Sequence, residues 1–143
     1  MNTKVQTVYV SDLSTKYRQS LFDARVPAGF PSPAADYEED KLDLNEHLIK
    51  HPVATFFVRA IGDSMVGAGI HCGDLLIVDR SLEARDRSVV IAVVNGELTV
   101  KRIRIRNKKI TLVPENEGYC AQEINDNMEF EVWGVVTNVI HAL

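Results

Sequence analysis

The sequence predicts a mainly β protein: a compact, partly closed antiparallel β-sheet domain with one short helix and an extended N-terminal arm. Three observations predict it. From Val53 onward the apolar runs "VATFFVRAI", "DLLIVD", "SVVIAVV", "ELTVKRIRI", "ITLVP" and "MEFEVWGVVTNVI" are of strand length and rich in β-branched and aromatic residues. Gly, Asn and Asp punctuate them at short intervals. No regular helical period separates them, which favours antiparallel connections over parallel crossovers.

Taken in order, residues 1–40 form a poor core. The segment "FPSPAADYEED" joins two prolines, small residues and an acidic run, and Pro31 and Pro33 push their neighbours toward extended backbone. Residues 1–40 are therefore expected to be an arm, and 41–143 the β-rich domain. Asp43, with Glu46 three residues on and Pro52 beyond, predicts a short amphipathic helix over about 43–50, with Leu44, Leu48 and Ile49 on one face. Asn95-Gly96 between two apolar runs predicts a type I′ hairpin pairing 88–95 with 97–105. The C-terminal run around Phe130 to Val139 is expected to pack in the core or to offer dimer surface.

The run "KRIRIRNKK" places six positive charges in nine residues, from Lys101 to Lys109. On a strand Arg102, Arg104 and Arg106 share one face. That row reads as a solvated face or as a docking site for an acidic partner. The whole chain of 143 residues is one domain in size and carries a formal charge of −4, which gives no general reason to bind nucleic acid.

Cys72 and Cys120 make neither a disulfide framework nor a spaced zinc motif. His47, His51, His71 and His141 are scattered, so no metal or cofactor is expected. No N-terminal charged start leads into an apolar core, and no apolar run approaches bilayer length. A soluble, cytoplasmic protein with no membrane contact is expected.

The stretch that carries chemistry is Gly62-Asp63-Ser64-Met65. A serine in such a bend is ordinarily a turn former. Lys101, however, lies on the same strand face as Thr99, Ile103 and Ile105, opposite the arginines, and should project toward the apolar side. Burial lowers a lysine pKa, and a neutral amine can take a proton from a serine hydroxyl. Ser64 and Lys101 thus form a candidate nucleophile and base, a known variant of the nucleophile-plus-base arrangement. Backbone N–H groups in the bend could stabilise an oxyanion.

These residues carry a resemblance. "FPSPAADY", "LIKHPVATFFV", "GDSM", "GIHCGDLLIVD", "GELTVK" and the closing "GVVTNVI" resemble UmuD-like mutagenesis factors, within the LexA-type self-cleaving serine peptidases, from about Gly29 onward. The resemblance implies that Ser64 is the nucleophile, Lys101 the base, and the Ala28-Gly29 bond the site of self-cleavage. UmuD itself has a cysteine where this chain has Ala28. It also implies a homodimer, stimulation by the RecA–single-stranded DNA filament, and a processed form that joins a Y-family, UmuC-like polymerase subunit for error-prone translesion synthesis in the SOS response. Only 28 residues precede Gly29, too few for a helix-turn-helix domain, so direct sequence-specific DNA binding is not expected. A catalytically silent polymerase-interaction module is the alternative. A signal-peptidase-like enzyme would need a membrane anchor.

Overall fold

The computed structural model describes residues 1–14, 16, 18–22 and 38–143. The chain divides into two units, residues 1–11 with 51–143, and residues 12–50. Its strands in chain order are β1 (Lys4–Val10), β2 (Arg18–Phe22), β3 (Glu38–Asp43), β4 (Thr55–Ile61), β5 (Leu75–Asp79), β6 (Val89–Val94), β7 (Glu97–Arg106), β8 (Lys109–Val113), β9 (Gln122–Glu123) and β10 (Phe130–Ile140).

The larger unit holds one antiparallel sheet in the order β1-β4-β5-β10-β6-β7-β8-β9. β1 also meets β7, through Lys4 opposite Thr99, and this closes β1, β4, β5, β10, β6 and β7 into a barrel. The expected mainly β, partly closed architecture is observed. Each apolar run read as a strand from Val53 onward forms one. The hairpin forms as expected: β6 pairs with β7, and Asn95 (φ 48°) and Gly96 (φ 82°) both occupy the left-handed region that a type I′ turn requires.

One side of the sheet buries Val58, Ala60, Met65, Leu76, Val78, Ile91 and Val100. A second cluster gathers Val90, Ala92, Ile103, Leu112 and Val135. Consecutive residues such as Val90 and Ile91 fall in different clusters, so β6 is covered on both faces. β10 lies between β5 and β6, so its backbone edges are used inside the sheet.

The expected arm differs from what is observed. Lys4–Val10 is a strand of the main sheet, pairing with β4 from Lys4 opposite Ile61 to Val10 opposite Phe56. Its sequence "KVQTVYV" is rich in β-branched residues, a strand signal outweighed by the proline-bearing stretch that follows. In the smaller unit β2 pairs antiparallel with β3, and Asp43 caps α1 (Leu44–Leu48) by accepting from the N–H groups of Asn45 (2.9 Å) and Glu46 (3.3 Å). The helix is shorter than expected, and Leu44 is exposed. Ala28, Gly29 and the "FPSPAADY" motif lie outside the described residues.

Candidate active site

The turn after β4 begins at Gly62, whose φ of 95° suits glycine. Ser64 follows, with Met65 fully buried behind it as an anchor. A distant loop fixes the turn. The Ser64 carbonyl accepts from the Glu115 N–H (2.8 Å), the Glu115 carbonyl accepts from the Gly67 N–H (2.7 Å), and Asn116 Nδ2 donates to the Asp63 carbonyl (2.9 Å). The Glu115 carboxylate pairs with Arg102 on β7, tying that loop to the strand that carries Lys101.

Strand alternation turns Lys101 inward as expected, and the structure brings it to Ser64. Lys101 Nζ lies 3.1 Å from Ser64 Oγ, 3.0 Å from Thr99 Oγ1 and 3.0 Å from the Val100 carbonyl. Both residues are buried, Ser64 at 0% and Lys101 at 7% relative exposure. Burial first, and the positive charge of Lys4 second, hold the Lys101 pKa down to about 8. A neutral amine has two N–H donors and one lone pair. The Val100 carbonyl accepts one N–H. Thr99 Oγ1, whose own proton goes to the Thr3 carbonyl (3.2 Å), accepts the other. The lone pair is then left facing Ser64 Oγ, the arrangement a general base needs.

Residues at the start of the chain cover this pair. The Thr3 N–H donates to Ser64 Oγ (2.8 Å), and the Val100 N–H donates to the Thr3 carbonyl (3.0 Å). The Asp63 N–H donates to the Met1 carbonyl (3.0 Å), so a backbone donor beside the candidate nucleophile already holds a peptide oxygen. The Met1 amine donates to Asp63 Oδ1 (3.1 Å) and to Tyr119, whose hydroxyl donates to the same carboxylate (2.5 Å). The Tyr119 hydrogen bond is the main cause that keeps the Asp63 carboxyl below its usual range. Beside Lys101 a cleft of about 360 Å³ opens between Asn2, Lys4, Thr99, Leu112, Cys120 and Gln122.

Sequence reading found Ser64 and Lys101 but missed Thr3, Thr99, Glu115, Asn116 and Tyr119. Only Thr99 carried a signal, its place two residues before Lys101 on the same face. The other contacts join residues far apart in the chain and have no local pattern.

The remaining polar groups sit elsewhere. His51 Nδ1 is 2.5 Å from Asp79, whose other carboxylate oxygen accepts from Ser81; no histidine among the described residues bonds Ser64. His71 and His141 meet around buried Asp74, with His141 Nδ1 2.5 Å from its carboxylate, a convergence the sequence reading did not foresee. Cys72 and Cys120 are exposed free thiols. In the arginine row Arg102 pairs with Glu115 and Arg104 with Asp86 (3.2 Å), while Arg106 is exposed. No helix among the described residues is long and apolar enough to cross a membrane.

Comparison with known proteins adds a lineage to this geometry. Residues 20–137 match the Peptidase S24-like family. The chain is 50% identical over 121 residues to protein SamA of Salmonella typhimurium, covering 85% of this chain and 84% of that protein. It is 43% identical over 136 residues to protein MucA of Escherichia coli, covering 94% and 92%. It is 38% identical over 117 residues to the LexA repressor of Idiomarina loihiensis, covering 81% of this chain and 57% of the repressor.

Proposed function

The chain belongs to the Peptidase S24-like family, and from that premise we propose that it is a self-processing serine endopeptidase of the UmuD type, cutting its own Ala28-Gly29 bond. The observation that carries the reading is Lys101 Nζ at 3.1 Å from Ser64 Oγ, buried, with its pKa held down to about 8.

The steps balance as an acyl transfer. Neutral Lys101 takes the Ser64 hydroxyl proton as Oγ attacks the Ala28 carbonyl carbon. The tetrahedral oxyanion is stabilised by backbone donors of the Asp63-Ser64 turn. The C–N bond breaks, and the Gly29 nitrogen leaves as an amine with the proton from Lys101. Water, deprotonated by Lys101, then hydrolyses the Ala28 ester and restores Ser64. The products are residues 1–28 and 29–143. Small residues on both sides of the bond let backbone approach the nucleophile closely.

The wider reading follows the UmuD resemblance. The protein acts as a homodimer in the cytoplasm, the RecA–single-stranded DNA filament stimulates cleavage, and the product joins a Y-family polymerase subunit for translesion synthesis. Identity to SamA and MucA over most of each chain supports this reading.

Intact-mass measurement after incubation with RecA, single-stranded DNA and an ATP analogue tests it. The expected result is a fragment beginning at Gly29, absent from Ser64→Ala and Lys101→Ala. Cleavage that persists in both variants overturns the dyad. No cleavage under any condition, alkaline pH included, leaves the silent interaction module.

A further inference from the structure

We propose that the slot between the Gly62–Ser64 turn and β7 is a strand-binding subsite, and that its resident ligand is the chain's own Met1–Val5. This segment must leave before a scissile peptide can reach Ser64. The inference rests on the proposed peptidase reading for its consequence, although occupancy of the slot can be measured without catalysis.

The first ground is access. Ser64 has 0% relative exposure, and the Thr3 N–H lies 2.8 Å from its Oγ. A nucleophile must bring its oxygen within roughly 3–3.5 Å of a carbonyl carbon. The space needed for that approach is filled by Met1–Thr3.

The second ground is the form of the contacts. The backbone polar groups of Met1 and Thr3 are read in turn by the Asp63 N–H, by Ser64 Oγ and by the Val100 N–H. Recognition of an extended peptide by main-chain hydrogen bonds along a sheet edge is β-augmentation, and its ligand class is any peptide strand that fits. These donors and acceptors cannot serve two peptides at once. Occupancy by Met1–Val5 and by another segment are therefore mutually exclusive.

The third ground is that the resident fits imperfectly and pairs with β7 over a short seam. The Thr3 side chain is fully buried, yet its Oγ1 has no hydrogen-bond partner among the described residues. A buried hydroxyl without a partner is destabilising. The slot therefore suits a small apolar side chain better than threonine, a requirement that Ala28 meets. The β1–β7 seam is a single residue pair, whereas β1 pairs with β4 from Lys4 to Val10. The first residues can therefore peel from Ser64 while the rest of β1 stays on the sheet. Since a competing peptide sees only the vacated fraction, its access scales with that fraction.

Thiol labelling reads occupancy directly. The probe is Ser64→Cys in a background of Cys72→Ser and Cys120→Ser, reacted with N-ethylmaleimide. Thr3→Pro deletes the N–H that bonds position 64 and should speed labelling by about tenfold, the worth of one such hydrogen bond. Thr3→Val replaces the unpartnered hydroxyl with a methyl and should slow labelling several-fold through tighter seating. Equal labelling rates in the three proteins overturn the proposal, and the opposed directions exclude a simple loss of folding. With Ser64 restored, self-cleavage at alkaline pH should follow the same order. Labelling that differs while no variant cleaves upholds the subsite and removes the peptidase reading. Cleavage at one common rate despite different labelling shows that the segment is no barrier, and overturns the proposal's second half.

Discussion

Burial holds the side chain of Lys101 in a state where its charge is disfavoured but its base form is useful. With a folded pKa of about 8, the neutral fraction grows tenfold per pH unit below that value and levels off above it. The rate of self-cleavage measured against pH, without any stimulating partner, should rise and flatten with a midpoint near 8; a midpoint near the ordinary lysine value of 10.5 would count against Lys101 as the base. The same shift bears on stability. Below about pH 8 the lysine is charged in both native and unfolded chains, and the native state carries the desolvation cost. Between about 8 and 10.5 the unfolded chain binds more protons than the native one, so stability rises with pH across that window. Lys101→Met removes the charge, and should raise stability at pH 7 by as much as roughly 3 kcal/mol, the free-energy equivalent of the shift. Urea unfolding of both proteins at pH 7 and above pH 10 checks this, since their difference should shrink as pH rises. Ser64 and Lys101 were legible because strand alternation assigns each side chain a face before any fold is known. Thr3, Glu115, Asn116 and Tyr119 were not legible, because their contacts bridge chain separations that no local period records.

Among the elements, legibility followed how local the determining chemistry is. Asn95-Gly96 needs only its own backbone preference to specify the β6–β7 turn, and the structure places both residues at positive φ. Nothing lies within 4 Å of a Cβ built on Gly96, so Gly96→Ala should cost about 1 kcal/mol from backbone strain alone. Gly134 on β10 answers to a different cause. Its register with β6 is irregular between Val132 and Gly134, and a Cβ there would sit 2.6 Å from Val78 Cγ1 on the neighbouring strand. Gly134→Ala should therefore act by overpacking, at about 1–3 kcal/mol. Chemical unfolding in double-mutant cycles separates the mechanisms: beyond its own cost as a buried core residue, Val78→Ala should couple favourably with Gly134→Ala and not at all with Gly96→Ala. β1 escapes the local pattern for the opposite reason. Its strand propensity is real, but its partner β4 lies some fifty residues away in sequence, and only closure of the sheet reveals that the segment has an edge to join.

For the larger unit as a whole, that closure links architecture to activity. β4, β5, β10, β6 and β7 form a continuous run of paired strands, and β1 completes the ring by pairing with β7 through Lys4 opposite Thr99. The seam lies over Ser64 and Lys101, so closing the barrel and covering the candidate site are one event. A covalent lock at the seam should then act as a switch. Lys4→Cys with Thr99→Cys, in a background of Cys72→Ser and Cys120→Ser, places two thiols on directly opposed residues of an antiparallel pair, a spacing a disulfide can span. Thr99→Cys also removes a hydrogen-bond acceptor from Lys101 and Lys4→Cys removes a nearby charge, so the informative comparison is one protein in two redox states. Oxidised, it holds residues 1–4 over the serine and should show self-cleavage at least about tenfold slower than the same sample reduced, consistent with occupancy raised by more than one hydrogen bond's worth. The reductant should have no such effect on the background protein. Cleavage at the same rate in both states would mean that the barrel can admit the scissile peptide with its seam shut, and the link between closure and access would be lost.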